Sequence, residues 1–204
     1  MAAAVMLDVD GVPVHPGMGG HWSETLPAAF GLPPDALTDV FFARDWSRIV
    51  RGKAAMLPIL DRALDEIGAG IGAEAFVRHW FAADARLNAD LVAALPRLRR
   101  RAPVWLATIQ EPLRLAHLRD TLGFGSMVDG IVASCDVGAA KPDAAFFGAA
   151  EAQAGVPMGD CLLVDVTPEN VTAARAAGWR ALLWTPASRP DDILTVLDEM
   201  GHAA

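Results

Sequence analysis

The sequence predicts an α/β fold, a doubly wound parallel sheet with an inserted helical subdomain. Three observations predict it. Short apolar runs rich in β-formers or bounded by turn signals alternate with stretches of helical spacing, the pattern of strands joined by right-handed helical crossovers. One block, residues 15–86, breaks the alternation with helices alone. Acid, hydroxyl and lysine side chains stand just past the ends of successive strands or crossovers, where open parallel sheets place ligands.

The first strand is the run Val5–Leu7, which stops on Asp8, with a second acid at Asp10 and then Gly11. Residues i and i+2 of a strand share a side, so at a strand end both carboxylates can face one crevice, and Gly11 permits a tight exit. The plain alternative is a loop of D-x-D-G composition. Two like charges this close need a cation, a proton or both.

Within 15–86, helical spacing recurs at Trp22–Phe30, Pro34–Arg44, Ala54–Ile67 and Ala73–Phe81. We therefore expect 1–14 and 87–204 to form the core and 15–86 a helical cap. Its hinges would lie near Pro13–Gly20 and Ala85–Ala89, with Gly17, Gly19 and Gly20 as permissive positions. Helix Ala89–Arg101 returns the chain to the sheet. The strand Pro103–Ala107 ends in Thr108, and a helix carrying Leu113, Leu115, Leu118 and Leu122 stops at Gly123. The strand Met127–Ala133 and loop Val137–Ala140 lead to Lys141-Pro142-Asp143 and the helix Ala144–Ala154. The strand Cys161–Val164 ends in Asp165, the helix Val171–Ala177 stops at Gly178, and Arg180–Trp184 is the last strand. Ile193, Leu194, Leu197 and Met200 mark a final helix. Singly, Thr108 reads as a helix cap, Lys141 as a solvated lysine and Asp165 as a turn acid. In this order they make an anion-plus-metal site.

Composition narrows the function. The 204 residues are 53% hydrophobic and 21% charged, enough apolar material for a substantial core. No apolar stretch reaches the roughly 18 residues of a membrane helix, and MAAAVMLDVD has no basic n-region, so a cytoplasmic protein away from membranes is expected. The net charge of −8 argues against nucleic-acid backbone binding but leaves room for a small anionic substrate. Cys135 and Cys161 read as scattered reduced thiols, without zinc-ligand spacing. Nothing fixes the oligomeric state.

The motifs resemble those of the haloacid dehalogenase-like superfamily along nearly the whole chain. An apolar strand then Asp8-Val9-Asp10-Gly11-Val12 stands as the first motif, LAT ending in Thr108 as the second, GAAKPD with Lys141 as the third, and LLVDVTPENVTAARAAGW as the fourth. The helical block after the first motif resembles the branch whose cap is inserted there, and the resemblance implies a Rossmann-like sheet of strand order 3-2-1-4-5. It further implies a Mg²⁺-dependent phosphatase of small organic phosphomonoesters acting through an aspartyl-phosphate. Asp8 would be nucleophile, Asp10 general acid then base, Thr108 a phosphate donor and Lys141 the neutralising cation, with backbone N–H groups near Val9 and Ile109 as further substrate-binding donors. Mg²⁺ would take Asp8, the Asp10 carbonyl, and Asp165 or Glu169 as ligands. Family members with dehalogenase chemistry usually lack the second acid, so Asp10 favours phosphoryl transfer.

Two positions depart from the pattern. Val166 stands where the direct metal ligand is common, and Ile109 where Asn usually follows the threonine. They motivate an alternative, an impaired member that binds a metabolite or partner. Glu169 reads equally as a helix-start residue favoured by the dipole. In the cap, Arg51 of RGK is a candidate for the anionic substrate or an exposed helix start, and Trp22 and Trp46 are expected to pack the cap more than to stack on a ligand. A signalling receiver domain, also built on acids, Thr and Lys, does not suit an acid pair that opens the chain.

Overall fold

A computed structural model describes residues 4–17 and 20–202; Gly19 lies outside them. Strands β1 (Ala4–Leu7), β4 (Val104–Thr108), β5 (Gly130–Ala133), β6 (Cys161–Asp165) and β7 (Arg180–Leu183) form one parallel sheet of order β5-β4-β1-β6-β7. This is the order 3-2-1-4-5 counted within the sheet. All four residues of β1 are fully buried, because a central parallel strand is covered on both faces and needs an unbroken apolar run. Val5 and Leu7 face one layer with Leu95, Leu98 and Ile193, while Ala4 and Met6 face the other with Phe146, Phe147 and Trp179. The first layer uses helices α5 (Ala89–Arg99) and α11 (Pro190–His202), the second α9 (Ala144–Ala154) and α10 (Pro168–Ala176). Strand order reverses beside β1, so the crevice beyond its carboxyl end lies at a topological switch point.

Between β1 and α5 stand α1 (Leu26–Phe30), α2 (Ala43–Ile49), α3 (Met56–Glu66) and α4 (Ala73–Ala83), packed on an apolar cluster of their own around Phe41, Leu60, Phe76 and Trp80. The chain enters this block through β2 (Val14–His15) and leaves through β3 (Arg86–Leu87), which pair antiparallel. Two residues each carry no periodic signal, so this ribbon was invisible in sequence. The Asn88 side chain ties the exit down, donating to the Val12 carbonyl at 3.2 Å and capping α5 by accepting from the Leu91 N–H at 3.2 Å. Gly17 donates its N–H to the Ala83 carbonyl at 2.7 Å, a close approach between the two passages.

Two expected boundaries move. The helix expected over Pro34–Arg44 starts late: residues 34–37 form turns, Thr38–Phe42 is a wide π-type turn, and α2 begins only at Ala43. The strand expected over Met127–Ala133 begins at Gly130, after the short helix α7 (Phe124–Met127). A Cβ at Gly130 would stand 2.2 Å from the Trp105 ring, so glycine admits this strand against β4.

The cap touches the core at a third place. Helix α8 (Ser134–Val137) follows β5, and the buried Ser134 hydroxyl donates to the Val50 carbonyl at 2.6 Å while accepting the Gln110 N–H at 3.0 Å. Gly52, with φ +66°, lies where a Cβ would come within 2.3 Å of the Cys135 carbonyl oxygen. Each backbone group left unpaired in a dry contact costs about 1–3 kcal/mol. Ser134→Ala should therefore lower unfolding free energy by about 2 kcal/mol, measured by urea denaturation.

Candidate active site

The site grows from the end of β1. Asp8 donates its N–H to the Val164 carbonyl at 2.8 Å, continuing the ladder to β6, and the chain then turns through Gly11 (φ +84°), whose N–H reaches Val14 O at 2.7 Å. The turn leaves the Asp8 side chain 14% exposed and that of Asp10 55% exposed.

Lys141 supplies the counter-charge. Its side chain has no solvent exposure, and its Nζ lies 2.9 Å from Asp8 Oδ1 and 2.5 Å from Asp165 Oδ2. Burial opposes the ammonium, but the attraction of Asp8 and Asp165 outweighs it and raises the Lys141 pKa. Burial likewise pushes the Asp8 carboxyl up, Lys141 draws it back and Asp165 pushes it up again, leaving a net rise. Asp165 is fully buried and shared. Besides Lys141, it accepts from the Thr167 N–H at 2.8 Å and from Asn170 Nδ2 at 3.2 and 3.1 Å.

Asp10 stands at the mouth of the crevice. Gln110 Nε2 donates to it at 2.7 Å and to Thr108 Oγ1 at 3.2 Å. Arg114 Nη2 is 3.9 Å from Asp10 and 3.5 Å from Asp84, and the same guanidinium donates to the Phe81 and Asp84 carbonyls. Although half the side chain is exposed, the partial desolvation by the crevice walls and the neighbouring Asp8 carboxylate raise the Asp10 pKa to about 6, against the pull of Arg114. Glu111 positions Arg114: its carboxylate caps helix α6 (Pro112–Ala116), accepting the Leu113 and Arg114 N–H groups.

Above Asp10 opens a cavity of about 830 Å³ between cap and sheet, lined by Asp10, Ile109, Gln110 and Arg114 below and by cap residues including Trp22, Trp46 and Trp80 above. Trp22 and Trp80 stack at 4.6 Å, so these tryptophans both pack the cap and line the cavity. Arg51 is elsewhere. It pairs with Asp143 at 3.0 Å and donates to Ser47 Oγ at 2.8 Å, so the structure makes it a cap–core bridge and not a cavity residue. Gln110, Arg114, Asp84, Ser134 and Asn170 escaped the sequence reading. Of these, only Asn170 left a signal, within N-V-x-x-A; Arg114 reaches the site through a helix cap and backbone carbonyls, for which no motif exists.

Two of the acids expected to serve Mg²⁺ are turned elsewhere, Asp165 to other partners and Glu169 to solvent. Among the described residues no three His, Cys, Asp or Glu side chains are grouped to hold a metal. Asp165 has both oxygens committed to Lys141, Asn170 and Thr167, and Glu169 is exposed in the first turn of α10. Val166 packs its methyl groups against Gly11, 3.0 Å from where a Cβ would stand.

Removing the ammonium would leave two buried carboxylates unpaired, so Lys141→Met should destabilise by about 3–5 kcal/mol, and adding Asp165→Asn should recover part of that loss in chemical denaturation. Because the folded Asp10 pKa is raised, the native state binds more protons, and stability is lost as pH rises from about 4 to about 6. Asp10→Asn should therefore raise Tm at pH 7 more than at pH 4, read by calorimetry.

The profile of the haloacid dehalogenase-like hydrolases matches residues 2–178. Comparison with curated protein sequences gives no match. Among solved structures, HAD family enzyme bt-2542 from Bacteroides thetaiotaomicron, in complex with magnesium and inorganic phosphate, superposes with TM-score 0.79 at 14% identity, covering 95% of this chain and 99% of that one. A predicted HAD-like hydrolase from Porphyromonas gingivalis gives 0.75 at 19% identity, covering 97% and 98%. A 2-haloacid dehalogenase from Pseudomonas syringae pv. tomato gives 0.69 at 19%, covering 98% and 99%. At these identities the likenesses establish the fold. No helix among the described residues is long and apolar enough to cross a membrane.

Proposed function

Because the chain belongs to the haloacid dehalogenase-like hydrolase family, we propose that it hydrolyses small organic phosphomonoesters, with Asp8 as nucleophile. The observation that carries this reading is Asp10, a carboxyl that lines the cavity floor, held by Gln110 at 2.7 Å and two residues from the Asp8–Lys141 ion pair. An ester needs a proton donor for its leaving alkoxide; a halide does not. The enzyme of known fold that holds inorganic phosphate supports the same choice.

Asp8 attacks phosphorus, forming the Asp8–O–P bond as the ester P–O bond breaks, and the protonated Asp10 carboxyl delivers its proton to the departing oxygen. Ionised Asp10 then takes a proton from water, which attacks the aspartyl-phosphate and releases phosphate, returning Asp8. Lys141 orients Asp8 and favours its ionised form against burial. Gln110 fixes the Asp10 carboxyl and links it to Thr108. The cap of residues 15–86 keeps bulk water from the intermediate.

Mg²⁺, implied by the family resemblance and present in a distant relative, does not fit the carboxylates as they stand, and no step above runs through it. That misfit, with Ile109 in place of a donor, favours a second reading: a family member that binds a metabolite at this cavity with little or no turnover.

Phosphate release from a panel of phosphomonoesters, with and without Mg²⁺, separates the two. Under the first reading Asp8→Asn lowers kcat at least 10³-fold; absence of Asp8-dependent release under every metal supports the second. Val166→Asp with Ile109→Asn should tighten Mg²⁺ binding in calorimetry and raise turnover of an aryl phosphate in Mg²⁺.

A further inference from the structure

We infer that the cavity between cap and sheet selects a leaving group that is flat, apolar and uncharged, so that the substrate is the phosphate monoester of an aromatic alcohol. This rests on the hydrolase reading above and names its substrate class. The apolar part of the cavity's cap side is built from Trp22, Leu26, Leu37, Phe42, Trp46 and Trp80, beside the polar His21, Ser23, Asp35 and Thr38. The four rings pack on one another, with Phe42 and Trp46 each centred 5.7 Å from Trp80 and Phe42 5.3 Å from Trp46. A cluster braced in this way offers a rigid apolar wall at little entropic cost. Its volume of about 830 Å³ lies within the range of small-molecule pockets, far more than a two- or three-carbon alcohol fills.

Charge points the same way. The cavity is lined by the carboxylates Asp10, Asp35 and Asp84, and Arg114 is its one Arg or Lys among the described lining residues. Arg114 is already engaged by Asp84, Asp10 and two backbone carbonyls. A second phosphate or a carboxylate on the substrate would find no unengaged arginine or lysine and would face Asp35 at the exposed side. Sugar bisphosphates and nucleoside di- and triphosphates are therefore disfavoured, while aromatic stacking against a tryptophan wall is favourable.

The test compares kcat/KM for 1-naphthyl phosphate, glycerol phosphate and fructose 1,6-bisphosphate, beside the calorimetric Kd of 1-naphthol, a product that needs no turnover to bind. We expect naphthyl phosphate to be preferred at least tenfold over both other esters, and naphthol to bind below 1 mM, roughly the −4 kcal/mol scale. Trp46→Ala should weaken naphthol about tenfold and cut the naphthyl preference by a similar factor. Asp35→Lys, an exposed change that spares the apolar cluster, should improve the bisphosphate relative to the naphthyl ester. Asp8-dependent turnover that prefers glycerol phosphate or the bisphosphate, without naphthol binding, overturns this inference and leaves the hydrolase reading intact. Naphthol binding that weakens in Trp46→Ala, with no ester turned over, sustains the ligand class and overturns the hydrolase reading.

Discussion

One buried ammonium organises this molecule. Lys141 sits between Asp8 and Asp165 with its side chain closed to solvent, and none of the three charges is tolerable there alone. Asp8 ends β1 and Asp165 ends β6, while Lys141 arrives on the loop before α9. The ion pairs therefore form only when two neighbouring parallel strands and a crossover loop are in place together. The arrangement makes the switch point of the sheet a place where charge is held by structure, so the nucleophile candidate is oriented before any ligand arrives. Asn170 and the Thr167 N–H complete Asp165, which keeps the triad from being an orphaned charge set in a dry interior.

The sheet and most of its helices were legible because their signals are local. Val5–Leu7 and Cys161–Val164 are unbroken apolar runs, and Ala144–Ala154 is a helix whose bounds the sequence set to the residue. Asp8, Asp10, Thr108, Lys141 and Asp165 were legible because each stands at or just past a strand end or at a helix start, where chain order alone predicts convergence. The rest depends on partners distant in sequence. The ribbon of Val14–His15 with Arg86–Leu87 exists only as a pair, and Ser134 matters because Val50 comes to it. Arg51 likewise depends on a distant partner, since its charge answers Asp143, a residue 92 positions away. Arg114 was hidden because what fixes it is a capping carboxylate, Glu111, and carbonyls of the cap.

The cap does two jobs with one set of side chains. Trp22, Phe42, Trp46 and Trp80 hold four short helical segments together and at the same time form the roof of the cavity. A small helical block of this kind has little apolar material to spare, so a ligand surface made from its core adds no exposed patch elsewhere. The cap is also tied to the core beyond its two strands, through Ser134 to Val50, the Gly52 approach to Cys135 and the Arg51–Asp143 pair.

The same hydrogen bonds that make Lys141 tolerable explain why a metal does not fit the carboxylates. An acid serving as a metal ligand must present a free oxygen lone pair to the crevice, and Asp165 has turned both oxygens inward to the ammonium, Asn170 and the Thr167 N–H. The next position could have supplied the ligand, but Val166 is packed against Gly11, where the chain turns tightly onto Val14. Replacing that valine with a carboxylate would place a third acid beside two whose pKa values already stand above their usual range, which only a bound cation would relieve. In this chain the electrostatic balance of the crevice is met by one lysine, by a raised pKa that favours the protonated Asp10, and by the apolar contact of Val166 with Gly11.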